Sequence, residues 1–154
     1  MATASERDWD ATAVSGGVVV GDDGSASAAR AVTYAGEEAA RRGVPLHVVH
    51  GWKIMTAPRP PGLPAGYAPS MTELAESARA SEEARVPGLL GGTWVETHVH
   101  VPYGPAAQTL LAASEHAAVV VVGARGKGGF ASLVLGSVAE QVVRHASCPV
   151  VVVR

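Results

Sequence analysis

The stretch from Ala117 to Val153 constrains this chain more than any other. Val119–Val122 is an unbroken β-branched run of strand length, as expected where a strand is covered on both faces. Gly123, Gly126, Gly128 and Gly129 follow at once, Gly136-Ser137 then opens a helix near Val138, and Pro149–Val153 is a second apolar run. Bare backbone lets N–H groups approach an anion, and a helix start adds unpaired donors with a favourable dipole. Strand, glycine loop and helix start, in that order, suit phosphate.

The rest of the chain repeats the strand-to-helix theme. Gly17–Val20 reads as the first strand and empties into Gly21-Asp22-Asp23-Gly24-Ser25, with Ser25 a good helix cap. Ala28, Val32, Ala35 and Ala39 then share one helical face, and Arg41-Arg42-Gly43 ends the helix. Pro45–Gly51 is a second strand. Residues 52–69 hold five prolines (Pro58, Pro60, Pro61, Pro64 and Pro69), a density that excludes a helix or a central strand. They read as a long surface connection, with a lid or partner surface as the alternative.

A helix is expected over Ser70–Val86, capped by Ser70 or Thr72 and ended by Pro87-Gly88. Thr93–Val101 alternates, with Val95, Thr97, Val99 and Val101 on one face and Glu96, His98 and His100 on the other, which predicts an edge strand with a wetter side. Pro105 suits the first turn of the next helix. Five short strands alternating with four helices predict a single-domain α/β fold, a parallel sheet with helices on both faces. The domain is expected over 16–154, with 1–15 a loose tail. Ligands of such sheets sit beyond the carboxyl ends of the strands, where the strand order reverses.

Composition narrows the function. A net charge of −2 disfavours electrostatic binding of nucleic acid. The one cysteine, Cys148, cannot form an internal disulfide and fits a reducing compartment, and a buried structural thiol is the expected role. Glu6, Arg7, Asp8 and Asp10 stand where a signal peptide needs an apolar core, and no apolar run reaches membrane-spanning length, so a cytoplasmic protein is expected. His98 and His100 could pair on a metal, but only Glu96 joins them locally, so a solvated strand face is the better reading and no metal site is assigned.

Known phosphate motifs fit poorly. Lys127 is followed by Gly128, so there is no Walker A string. A Rossmann fingerprint forced onto Gly126–Ala131 begins too late after the strand and has no acidic partner downstream. What remains is G-x2-G-x9-G-S: Gly123, Gly126, Gly136 and Ser137.

With that spacing the chain resembles the universal stress protein family. The likeness runs from Gly17 to Val153 and includes Val20–Ser25, His50-Gly51-Trp52, Gly104-x-Ala106 and Arg144–Pro149. The glycine spacing resembles the ATP-binding branch. The resemblance implies a five-stranded parallel sheet in the order 3-2-1-4-5, placing the first and fourth strands side by side. It implies ATP, with Mg2+, held by the turn Gly21, Asp22, Asp23, Gly24 and Ser25, by the backbone at Gly51, and by Val122 and Gly123 at the ribose. Gly126, Gly136, Ser137 and Val138 would hold phosphates under a loop of Ala124, Arg125, Gly126, Lys127, Gly128 and Gly129. Family members commonly carry Val or Ile where this chain has Asp22, which leaves open whether Asp22 or Asp23 faces the ligand. A homodimer through strand 149–153 is also implied.

The reading is of an ATP-binding stress sensor or regulator, with no catalytic residue assigned and at most slow ATP hydrolysis. The alternatives are an interaction module whose nucleotide pocket is unused, and an enzyme of the related adenine-nucleotide α-hydrolase group. The second of these needs a catalytic residue that the chain does not offer by position.

Overall fold

The computed structural model describes residues 9–128, 132 and 134–154. Its five strands are β1 (Val18–Gly21), β2 (Leu46–Val49), β3 (Thr97–His100), β4 (Val119–Gly123) and β5 (Val150–Val153). Four helices connect them: α1 (Ala26–Arg42), α2 (Met71–Leu90), α3 (Ala106–Ser114) and α4 (Ser137–His145). All strand pairings are parallel, in the order β3-β2-β1-β4-β5. The α/β class, the strand order and the helix count are those expected.

Alternation along the strands sorts the core into two layers. Val18, Val20, Leu46, Val48, Val119 and Val121 face α1 and α2, meeting Ala31, Val32, Ala35 and Val86. Val19, Val49, Val120 and Val122 face the other way, against Leu110 and Ala113 of α3 and Ala139 and Val142 of α4. Each buried valine contributes on the order of 1.5–3 kcal/mol, and β1 and β4, buried on both faces, form the core of the sheet. Ser25 caps α1 through the Ala28 N–H, and Gly43 ends it in the left-handed conformation at φ 66°. Ser70, of the two cap candidates, opens α2 in a reciprocal capping box with Glu73.

Three expectations are corrected. Helix α2 continues through Pro87 to Leu90, because Leu89 and Leu90 pack on the core and the extra turn buries them. A proline there gives up one helix bond, which the packing offsets. The stretch before β1 is fastened from Trp9 onward: Ala11–Val14 is a 3-10 turn capped by Asp10, Val14 is fully buried, and the Trp9 indole donates to the Thr109 carbonyl. Strand β3 is limited to Thr97–His100, matching the four residues of β2, and beyond it only an isolated parallel bridge joins Trp52 to Tyr103.

The Pro-rich segment covers a satellite core. Trp52 is buried with Leu74, Ala75 and Ala78, and its indole donates to the Val101 carbonyl at 2.8 Å. Cys148 packs beside the second layer, and burial pushes its thiol up.

As expected, β3 is a sheet edge, and the far face of β2 and β3 carries three imidazoles. His47 Nδ1 lies 2.9 Å from His100 Nε2, the His47 and His98 rings stack at 5.0 Å, and Trp9 stands edge-on to His100. Gly17 leaves room for the His47 ring, since a Cβ there would come within 2.6 Å of it. Among the described residues no group of three His, Cys, Asp or Glu is arranged to hold a metal ion.

Burial, and then the neighbouring imidazoles, lowers His100 to about 4 and pulls His47 below 6.5. The unfolded chain therefore takes up protons first, so stability present above pH 6.5 is lost as the pH falls toward 4. The thermal midpoint is expected to drop between about pH 6.5 and 5, before most carboxylates titrate, and to drop less in His100→Leu. An equal drop in both would remove the imidazoles as its cause.

Candidate functional site

Strands β1 and β4 are neighbours, paired Val18 to Val119 through Val20 to Val121, so the turn after β1 and the loop after β4 leave the sheet side by side. A cavity of about 290 Å3 opens between them. Toward β2 its wall is apolar: Val49, Gly51, Ala106 and Leu110. Toward β4 it is mostly backbone: Gly123, Gly126, Gly128, Gly136 and the first residues of α4, Ser137, Val138 and Ala139. Gly21, Asp22, Asp23, Ala28, Val122 and Arg125 complete it.

Close approach explains two of the glycines. A Cβ on Gly123 would meet Ser27 Oγ at 2.6 Å and the Ser27 carbonyl carbon at 2.8 Å, so the bare residue lets the start of α1 dock on the end of β4. At Gly51 a Cβ would meet Ala106 Cα at 2.9 Å, and its absence lets α3 reach the end of β2. Gly136 caps α4 with extended backbone and no side-chain bond, while its own N–H donates to the Ala124 carbonyl at 2.7 Å. The helix start therefore borders the cavity without a capping side chain.

The two aspartates divide their work. Asp23 accepts the Ser25 N–H at 2.9 Å through Oδ1 and the Lys127 N–H at 3.1 Å through Oδ2, which ties the first turn to the glycine loop. Asp22 turns the other way. Its side chain is fully buried and accepts from Gly24 N–H at 2.9 Å and from Arg85 Nε at 3.0 Å, while Arg85 Nη2 also donates to the Ser25 carbonyl at 3.2 Å. Of the doubled acid, Asp23 is thus the carboxylate at the cavity, and the carboxylate of Asp22 points to α2.

Behind Asp22 lie Glu82 and His50. His50 Nδ1 is 2.9 Å from Glu82 Oε1, an ion-pair distance at which the ring N–H is not aimed well enough for a good hydrogen bond. Burial works to raise Asp22, but hydrogen bonds from Glu82, Arg85 and the Gly24 N–H hold it below the usual carboxylate range. Burial, reinforced by Asp22, pushes Glu82 up. Burial opposes a charge on His50, yet Glu82 raises it above an ordinary histidine. The raised Glu82 and His50 thus favour a proton on that pair while Asp22 stays ionised.

Of the expected binding residues, Gly21, Asp22, Asp23, Gly51, Val122, Gly123, Arg125, Gly126, Gly128, Gly136, Ser137 and Val138 come together at the cavity. Four do not line it. Gly24, at φ 81°, makes the turn, Ser25 spends its hydroxyl on the α1 cap, and Ala124 is buried with its N–H on the Val153 carbonyl. Lys127 meets Asp23 through its backbone. Gly129 lies outside the described residues. Ala28, Val49, Ala106, Leu110 and Ala139 line the cavity without having been singled out, because small or aliphatic residues on strands and helices read as core. No residue from 53 to 69 lines the cavity, so the Pro-rich segment is not a lid in this conformation.

The model of the Universal stress protein family matches residues 17–154. The chain belongs to the universal stress protein family. It is 39% identical over 138 residues to the universal stress protein Rv2623 of Mycobacterium tuberculosis, which covers 89% of this chain and 44% of that protein. The chain thus spans less than half the length of such relatives. The universal stress protein UspA from Lactobacillus plantarum shares the fold at a TM-score of 0.69 and 21% identity, covering 90% of this chain and 97% of that one. A universal stress protein from Archaeoglobus fulgidus, solved in complex with dAMP, aligns at a TM-score of 0.63 and 25% identity, covering 92% and 99%.

In this universal stress protein the packing at Gly123 is backbone against backbone and cannot yield easily. Gly123→Ala is expected to cost about 1–3 kcal/mol in chemical denaturation, since the methyl forces the start of α1 away. An unchanged denaturation midpoint would mean that α1 is not seated on β4 as described.

Proposed function

We propose that this universal stress protein binds an adenine nucleotide at the cavity and acts as a nucleotide-dependent sensor or regulator rather than as a catalyst. The observation that carries the reading is the cavity's two-sided chemistry. An apolar wall at Val49, Gly51 and Leu110 suits a flat base, and the glycine loop with the start of α4 offers N–H donors to phosphate. The dAMP complex of the Archaeoglobus fulgidus protein supports adenine as the base.

ATP is the proposed form, because Gly126, Gly128 and the Gly136-Ser137 start of α4 line the cavity with backbone over a length that suits more than one phosphate. Mg2+ would come with it. Among the described residues Asp23 is the carboxylate facing the cavity, its oxygens holding only backbone N–H groups, whereas that of Asp22 is committed to Arg85. The residues present therefore fit a phosphate chain, with any ion held largely by the nucleotide's own oxygens. A regulator's mechanism follows from differential binding: ligand that competes for the Lys127 N–H loosens or re-forms the Asp23 tie and changes the loop's outer surface.

Strand β5 lies at the other sheet edge, with Val150–Val153 only partly covered. We infer that a second copy pairs there, since an open apolar edge invites another strand. An interaction role with an unused pocket stands as the second reading, and this same edge is what favours it. No described helix is long and apolar enough to cross a membrane.

The test begins with the protein as purified: denature it, identify any released nucleotide by mass, and titrate stripped protein with Mg-ATP by calorimetry. Binding is expected in the parent, weakened at least ~10-fold (about 1.4 kcal/mol) in Gly126→Ala/Gly136→Ala. No nucleotide released and no heat with Mg-ATP, AMP or cAMP would leave the interaction module. Rapid turnover of ATP would reinstate an enzyme.

A further inference from the structure

We propose that Arg85 and Glu82, on the buried face of α2, are positioning residues for the cavity: they hold the β1–α1 turn, and Asp23 within it, from behind. The nucleotide reading supplies what that turn serves; the holding itself stands on contacts independent of it.

Arg85 bonds the residues on either side of the Asp23-Gly24 pair. Its Nε meets Asp22 Oδ2 at 3.0 Å, and its Nη2 meets the Ser25 carbonyl at 3.2 Å and Asp22 Oδ1 at 3.4 Å. One planar guanidinium thus spans the turn, a geometry that a lysine cannot copy. Within the turn, Asp22 takes the Gly24 N–H and Asp23 takes the Ser25 N–H, so the backbone at Asp23 is set by the carboxylate that Arg85 fixes.

Glu82 joins the same helix to the cavity's other wall. It is 3% exposed and meets the His50 ring at 2.9 Å, and His50 directly precedes the cavity residue Gly51. Two walls of the cavity are therefore braced by a helix none of whose residues lines it.

The energetics make a merely stabilising role a poor account. Buried ion pairs gain little over well-packed apolar side chains of similar volume, whereas removing one partner strands the other charge. Deprived of Arg85, the Asp22 carboxylate must take up a proton or swing out toward water. Either change weakens the acceptor that holds the Gly24 N–H, and Asp23 moves with it.

The experiment measures Mg-ATP affinity by calorimetry and hydrogen exchange at the Gly24 and Ser25 amides by NMR. The variants are Arg85→Met, Glu82→Leu and Glu82→Gln, with Leu74→Ala as a control that damages the satellite core beside the same helix. Arg85→Met and Glu82→Leu are expected to speed exchange at Gly24 and to weaken Mg-ATP, each by ~10-fold or more. Glu82→Gln keeps a polar side chain of the same size against His50 and is expected to stay near the parent in both. Leu74→Ala is expected to lower the thermal midpoint and leave both readouts unchanged.

Should Arg85→Met not fold, Arg85→Lys keeps the charge but loses the fork and carries the same expectation at roughly 3-fold. Parent-like exchange at Gly24 in Arg85→Met overturns the proposal. So does a loosened turn with intact affinity, or Leu74→Ala matching Arg85→Met in both readouts. If the parent itself binds no nucleotide, the proposed function fails, and exchange at Gly24 alone decides whether α2 holds the turn.

Discussion

The rest of the molecule depends on one adjacency: β1 beside β4, parallel and in register. Both strands are valine on both faces, so neither face of the sheet centre can hold chemistry. Polar work is confined to the strand ends. Because the two strands run the same way, their carboxyl ends open together, and two glycine-rich exits that are a hundred residues apart in sequence share one cavity. Backbone forms much of the cavity wall there, and glycines matter at Gly51 and Gly123 because helices must come within contact of the strand ends.

Around that centre the polar groups are arranged in two tiers. Asp23 stands at the cavity and links the two exits directly, through the Lys127 N–H. Asp22, one residue earlier, faces the opposite way into a closed group with Arg85, Glu82 and His50. The two carboxylates thus split between cavity and interior, each fixed by its own partners. The interior carboxylate is tolerable because the guanidinium and a backbone N–H pair with it. The β2–β3 side of the sheet solves burial differently, placing the imidazoles of His47 and His100 against each other with the exposed His98 stacked on His47.

Much of this was legible in the residues. The strands of β-branched runs, the Ser25 cap, the Gly43 stop, the edge character of β3 and the glycine wall of the cavity all follow from local pattern. Other features were not, each for a definite reason. Pro87 reads as a stop, but the partners of Leu89 and Leu90 that keep the helix going lie in distant segments. Trp9 and Val14 look like tail residues until the sheet supplies a surface to cover. Leu110 and Val49 look like core because an apolar cavity wall and a core wall are built from the same side chains.

The sequence by itself determined the kind of fold and the kind of site. Periodicity and glycine spacing are local properties, and a parallel α/β sheet with anion-seeking turns is what they permit. Only the tertiary structure decided which aspartate meets the cavity, that α2 braces it through Arg85 and Glu82, and that three histidines from two strands form one stack. Those outcomes depend on groups from 32 (His50 and Glu82) to 104 (Asp23 and Lys127) positions apart in the chain meeting in space, and no local pattern encodes such a meeting.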